Sequence, residues 1–215
     1  MELNQKKTKA MIVNFTDNYQ FTSRLEVKGE TVEIVEKMKI LGVTITNKLN
    51  WNENTAILIQ KVNKRMQLLR AVWGFGSTIP EMVHLWKIYC LSVLEQSCVV
   101  WGSSLTQENV DDLERSQKKF AKLVLRDKYI NYENALEKLD LKTLSERRKE
   151  LALRFAHSSI ENNKLNEYIQ LRKTDHVMEL RHPEKYKRTR AHTERFNNSS
   201  ILFMQDLLNK EEQYK

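Results

Sequence analysis

The sequence is poor in the residues that interrupt helices: 5 glycines and 2 prolines in 215 residues. A turn-rich β architecture uses many more of both, so the scarcity favours helices. Cysteine is nearly lacking too. Cys90 and Cys98 are the only two, and they lie in an apolar helical run. With no Cys/His cluster at zinc spacing beside them, they read as reduced core thiols rather than a disulfide framework or metal site. Long hydrophobic runs are missing: the greasiest stretch, 88–101, contains Glu95 and Gln96 and is too short to span a bilayer. The opening residues, Met1-Glu2-Leu3-Asn4-Gln5-Lys6-Lys7, hold no apolar signal region. The expectation is a soluble, intracellular chain without a membrane partner, with nucleus or cytoplasm left open. Acidic charge is in deficit, at 28 Asp+Glu against 36 Lys+Arg, a net charge of +8. With a pI near 9.4, that surplus suggests a polyanionic partner. Charged residues at 30% and hydrophobic ones at 40% describe a globular chain, not a disordered one.

Self-sufficient catalytic motifs are also lacking. The five histidines (His84, His157, His176, His182 and His192) show no paired metal-ligand spacing, and no Ser/His/Asp or Cys/His nucleophile arrangement is visible. Asn109-Val110-Asp111-Asp112 holds adjacent carboxylates of the kind that place two magnesium ions. The pair falls in the first turn of a predicted helix, where Asp favours the dipole, and is read as a helix start. The chain therefore carries no catalytic residue and no metal ligand of its own.

What is present divides into three parts: residues 1–50, 51–165 and 166–215. The first reads as a short strand unit. It holds a strand candidate over 10–15 and a hairpin signal at Lys28-Gly29-Glu30, flanked by 24–27 and 31–35. Residues 40–45 read as a strand whose backbone bends or is closely approached at Gly42 and which hands over to a helix capped by Asn50 with Glu53. The second part reads as a helical bundle. A helix over 51–73 carries Leu58, Val62, Met66, Leu69 and Trp73 on one face, with Lys61, Lys64 and Arg65 on its flanks. Thr78-Ile79-Pro80-Glu81 opens a second helix to about 101, apolar on most of its circumference and hence central. Further helices are predicted over 106–126, 132–139 and 144–162, the last opened by the capping box Thr143-Leu144-Ser145-Glu146. The third part is a basic helical tail: residues 170–195 hold eight Lys/Arg against four acids, and 199–209 forms a last amphipathic helix. The fold class expected is mainly α with an N-terminal strand unit.

Two constellations stand out within this frame. On the helix over 106–126, Arg115, Lys118, Lys119, Lys122 and Arg126 fall within a stripe about 100° wide, opposite Leu113, Phe120, Leu123 and Val124. No acid is interleaved within the stripe, so the cations repel one another, a cost that an anionic backbone relieves. The alternative is an ordinary solvated face. The second is Arg148, in line with Leu141, Leu144, Leu151 and Phe155 on the apolar side of its helix. A buried guanidinium needs a carboxylate; Glu95, stranded in the apolar run, is the expected partner across the bundle, with Glu114 second.

The order of short motifs carries a family resemblance. Lys39-x-Leu41-Gly42-Val43-x-Ile45 followed by Leu49-x-Trp51 resembles the primer-grip segment of reverse transcriptases from non-LTR (jockey-like) retrotransposons. Leu3-Asn4-x-x-Lys7-Thr8-Lys9-x-Met11 resembles the segment after their catalytic Tyr-Ala-Asp-Asp. Leu94-Glu95-Gln96-Ser97-x-Val99-Val100-Trp101 is similar to their thumb segment. Leu113-Glu114-x-x-Gln117-Lys118 and Leu141-x-Thr143-Leu144-x-x-Arg147-Arg148 resemble the region after the palm, and 191–201 the end of the same reading frames. Ile40 stands where the family has Tyr.

The resemblance implies a palm remnant with the primer grip over 1–50, a thumb over 51–165 and a basic extension over 166–215. It places Lys7 near the incoming nucleotide's phosphates and Leu41 and Gly42 near the primer. It implies RNA or DNA template–primer duplex as partner, and the charge pattern makes Arg115, Lys118, Lys119, Lys122 and Arg126, with Lys61, Lys64 and Arg65, the residues expected to bind it. The family is an RNA-directed DNA polymerase. Its magnesium belongs to the complete enzyme, so this chain alone is expected to be inactive and to need no cofactor. Two rivals stand beside this reading: a domesticated helical nucleic-acid-binding module, and a purely structural or protein-interaction bundle.

Overall fold

The computed structural model describes residues 8–15, 24–27, 29–165, 167–171 and 185–213. The chain is mainly α-helical with short strands at its N-terminal end. It divides into two compact units, Met1–Leu58 and Ile59–Lys215.

The first unit is built from pairs. β1 (Lys9–Ala10) lies parallel to β4 (Glu33–Ile34), and β2 (Glu26–Val27) pairs antiparallel with β3 (Glu30–Thr31) across Gly29 at φ 81°. Of the strand expected over 10–15, only Ala10 lies in β1. β5 (Lys37–Ile40) and β6 (Val43–Thr46) form a hairpin in register from Lys37↔Thr46 to Ile40↔Val43. The bent strand expected over 40–45 is therefore a tight reversal. Leu41 and Gly42 occupy the two loop positions at φ 47° and 91°, the pattern of a type I′ turn, whose twist suits a hairpin.

The capping arrangement expected of Asn50 and Glu53 does not form. Thr46 Oγ1 accepts from the Asn50 N–H at 3.2 Å, and Glu53 takes Lys37 Nζ at 3.3 Å. Instead Asn54 accepts the Thr44 backbone N–H at 3.1 Å, fastening the first turn of α1 (Asn52–Gly74) to the hairpin. Val43, Trp51 and Leu58 are buried around this joint.

The second unit begins within α1, whose Val62, Met66 and Leu69 are buried as the spacing predicts. α2 (Ile79–Leu85) opens on the Thr78/Glu81 capping box. The single helix expected from there to about 101 is broken. A π-helical stretch (Trp86–Leu91) and α3 (Ser92–Leu94) lead to a turn with Ser97 at φ 52°, then α4 (Cys98–Trp101). The Gln96 carbonyl accepts the Trp101 indole N–H at 3.0 Å across that turn. The wider π turns sink Trp86, Cys90 and Leu91 into the core and leave Ile88 and Tyr89 exposed, so this segment is not enclosed all round.

A 3₁₀ turn (Gly102–Ser104) precedes α5 (Gln107–Leu125), α6 (Tyr132–Leu139), α7 (Leu144–Glu161), α8 (Glu194–Asn197) and α9 (Ser200–Gln213). α5 packs on α6 and α7, and α7 packs on α4 and α9. At the centre the Trp86 and Phe120 rings stack at 4.5 Å with 12° between planes. A second apolar cluster joins Ala152 and Ala156 of α7 to Ile169, Tyr186, Met204 and Leu208. The expected basic tail thus packs on the bundle where it is described: Asn209 brackets Tyr186, accepting its N–H at 2.9 Å and donating to its carbonyl at 3.1 Å. Arg188 meets both Asp206 oxygens, at 2.5 and 3.1 Å. Lys7, and Arg172, Lys173 and Arg181 of the basic stretch, lie outside the described residues.

Both cysteines are free and buried, and burial pushes each thiol up to about 11. Among the described residues no helix is long and apolar enough to cross a membrane.

Candidate nucleic-acid interface

α5 presents the basic stripe on its outer face because its inner face is spent on the core. Leu113, Gln117, Phe120, Ala121 and Val124 are buried, while Arg115, Lys118, Lys119, Lys122 and Arg126 are exposed. Thr106 starts the helix by accepting the Asn109 N–H at 3.3 Å. No acid is interleaved within the stripe, but one stands just before it. Asp112, one turn earlier, pairs with Arg115 at 2.6 Å, which takes that cation out of the row.

The other cations are organised by rings that the charge pattern alone does not reveal. Lys118 Nζ sits 5.0 Å from the Tyr132 ring centroid, Lys122 Nζ 5.3 Å from that of Tyr129, and the Arg126 guanidinium 5.4 Å from that of Trp73. Each such pairing is worth roughly 0.5–1 kcal/mol at an exposed site. They offset the mutual repulsion along the helix and hold each cation in place while leaving it open to solvent. Arg126 reaches Trp73 from a backbone at φ 46°, just past the end of α5, a conformation that costs a non-glycine residue about 1–2 kcal/mol. Ile130, 71% exposed, lies between the two tyrosines in sequence, and Phe75, 90% exposed, follows Trp73.

The Tyr132 ring is itself fixed from below. Its hydroxyl donates to Glu114 at 2.6 Å and accepts from Gln117 Nε2 at 3.0 Å, and Gln117 also donates to the Lys142 carbonyl at 2.8 Å. Burial, reinforced by the bond to Glu114, pushes the phenol well above its usual range. The ring under Lys118 therefore stays neutral and oriented at any physiological pH.

The α1 cations divide similarly. Arg65 lies 4.8 Å over the Tyr89 ring and donates to the Tyr89 carbonyl, whereas among the described residues Lys61 and Lys64 show no such ring contact. Tyr89 is exposed because of the π-helical stretch, so the break in the expected long helix creates this second cation–ring pair. The sequence offered one clue to the rings: Tyr129 follows Lys122 by seven residues, one face-repeat later on a helix, although a turn intervenes.

The two buried-charge expectations come out differently. Arg148 is buried, 7% exposed, on the line Leu144, Ala152, Ala156. Its direct pair with Glu95 is not found. Glu95 is taken by the preceding residue, whose Nε and Nη2 both meet the carboxylate: Arg147 Nη2 lies 3.1 Å from Glu95 Oε2. The turn after α3 lifts Glu95 out of the helix and aims it at the flank of α7 rather than at its buried line. Glu114, the second choice, spends its oxygens on Tyr132 and the Ser145 N–H. Phe155, expected on the apolar side, is instead 45% exposed, because the buried line follows a spacing of four through alanines.

The hairpin tip is the other candidate point of attachment. Leu41 is 93% exposed and left-handed, a combination that only strain tolerated by its surroundings or engagement with a partner explains. Gly42 beside it meets the same requirement at no cost.

Asp111 accepts from Gln107 at 2.9 Å and Asp112 pairs with Arg115 at 2.6 Å. Among the described residues no group of three His, Cys, Asp or Glu side chains could hold a metal ion. No protein-family model, curated protein or solved structure matches the chain.

Proposed function

We propose that the chain is the primer-gripping and thumb part of a reverse transcriptase of the non-LTR retrotransposon kind, and that it holds RNA or DNA template–primer duplex by its backbone. The observation that carries this reading is the row of cations on α5 seated on Tyr132, Tyr129 and Trp73. Ordered cations spaced a turn apart suit sequence-tolerant binding of phosphates, because four residues of helix advance about 6 Å and the rings spare part of the ordering cost. The strained, exposed Leu41 supports a second, geometric engagement at the hairpin tip. Phosphoryl transfer itself needs paired carboxylates that place two metal ions, and on this reading those belong to the complete enzyme.

Replacing Lys118, Lys119 and Lys122 by Gln leaves the core side of α5 untouched, so helicity is retained. Affinity for a primed RNA–DNA duplex falls, and the slope of log K against log salt shrinks by about 0.7–0.9 for each phosphate no longer neutralised. An unchanged affinity and slope would reduce the stripe to a solvated face and favour the protein-interaction rival.

A further inference from the structure

Arg148 is the one arginine or lysine among the described residues whose side chain is largely buried. It is more than nine-tenths buried, yet among the described residues it makes no hydrogen bond and no ion pair. The acids near it are already engaged: Glu95 with Arg147, Glu114 with Tyr132 and Ser145. They supply a compensating field without touching the guanidinium. The arginine stem is packed on Gly102, where an added Cβ would stand 3.1 Å from Arg148 Cδ.

Arg148 lines a cavity of about 140 Å³ between the turn after α4, the start of α7 and Phe203 of α9. Lys149 and Ser145 line it as well, and so does Ser103, whose hydroxyl is buried with no hydrogen-bond partner. No Asp or Glu contributes to the wall; the remainder is apolar, with Val99, Leu105 and Phe203. A largely buried, unpaired guanidinium and a buried hydroxyl without a partner thus belong to residues that line one small cavity with no carboxylate in its wall. A buried guanidinium and a buried hydroxyl without partners are each destabilising. A planar or tetrahedral oxyanion satisfies both, since the guanidinium offers paired N–H donors in a fork.

We infer that this cavity is a binding site for a small oxyanion, a carboxylate or phosphate group held by Arg148 and Ser103 with Lys149 at its rim. The cavity is comparable to one that encloses a benzene-sized molecule, so the anion can carry a few apolar atoms against Val99 and Phe203. Of α5 only Val110 lines the cavity and none of the basic stripe does, so the inference does not rest on the nucleic-acid reading.

The test is titration of the full chain with inorganic phosphate, with acetate and with chloride at constant ionic strength, followed calorimetrically and by the Arg Nε–H signals. Saturable binding of phosphate or acetate, on the order of millimolar, with no counterpart for chloride, is the expected result. Ser103→Ala weakens it roughly tenfold, the loss of one hydrogen bond to a charged group. Arg148→Met abolishes it. If Arg148→Met does not fold, Ser103→Ala and Lys149→Gln decide alone, because neither removes a packed stem. Displacement of phosphate by a primed duplex identifies a backbone phosphate as the natural source, whereas duplex binding indifferent to saturating phosphate identifies a free small anion. Titrations that match chloride, or binding that persists undiminished in Ser103→Ala, would mean that the cavity holds only water and overturn the site.

Discussion

The starts of α1 and α7 use the same side-chain grammar and reach opposite outcomes. At α7, Thr143 and Glu146 satisfy each other's backbone N–H groups within four residues, at 3.0 and 3.1 Å. At α1, Asn50 and Glu53 offer a similar spacing, but Thr46 and Lys37 claim them, and Asn54 turns to Thr44. The difference follows from what each unit has to bury. The second unit encloses Trp86, Trp101, Phe120 and many aliphatic side chains, so its helices are held by the core and their ends remain locally capped. The described residues of the first unit show three separate two-stranded pairings and few buried apolar side chains, and isolated pairings of that size are marginal. It recruits polar side chains into hydrogen bonds across the hairpin–helix joint instead. Local rules therefore hold where burial is plentiful and yield where it is scarce.

That contrast can be broken at either end. The largest effect belongs to the core: Trp86→Ala removes the stack on Phe120 and should cost about 3–5 kcal/mol, read from urea unfolding followed at 222 nm. A change below about 1 kcal/mol would deny the core its role. Next comes Asn54→Ala, which leaves the buried Thr44 N–H without its acceptor and should cost about 1–3 kcal/mol. Amide exchange should quicken over β5 and β6 and stay unchanged over α5 and α7. Equal acceleration in both units would mean that the joint is not the local fastening described. Smaller again, and of opposite sign, is Leu41→Asn. Asn tolerates the left-handed position of a type I′ turn, so the hairpin should gain roughly 0.5–1 kcal/mol. On the proposed function, the same change should reduce the preference for a primed end over blunt duplex. A more stable variant with the preference intact would leave the strain at Leu41 without a functional reason.

Much of the second unit was legible because its signals are local. The capping boxes at Thr78 and Thr143, the N-cap at Thr106 and the spacing of Leu58, Val62, Met66 and Leu69 placed helices close to where they stand. The break at Ser97 was not legible. The apolar run around it fits a continuous helix, and what marks the turn is a bond from Trp101 to a carbonyl five residues earlier together with the reach of Arg147 to Glu95. Adjacent arginines posed a similar problem: helical phase put Arg148 on the buried line correctly, but phase on one helix cannot say where a carboxylate on another segment points. The cations of α5 were visible as a stripe, whereas their rings come from three different segments, and no periodicity links Trp73 to Arg126. The hairpin was missed for a plainer reason. Leu is a poor residue for a left-handed position, so Leu41-Gly42 carries a weaker turn signal than Asn-Gly.

The finest test of the contrast is acid. Hydrogen bonds from the Thr78 backbone N–H and then its side chain hold the Glu81 carboxyl below its ordinary value of 4.5, and the Thr143 side chain and then its backbone do the same for Glu146. A depressed carboxylate stabilises the folded state fully above the unfolded value, and this contribution is lost as pH falls through the lower, folded value. Both glutamates are exposed, so the effect is small and confined to the first turns of α2 and α7. Amide protection at residues 79, 81 and 82 and at 144–147 should therefore decline below about pH 4.5, while the first turn of α1, which shows no such box, follows only the global acid response. Glu81→Gln and Glu146→Gln keep a side chain able to complete the capping box but cannot titrate. In those variants the local decline should disappear and the α2 and α7 starts should behave like that of α1. A variant that loses protection over the same pH range as the parent would show that another group titrates there, and would remove the capping boxes as the feature that sets the two units apart.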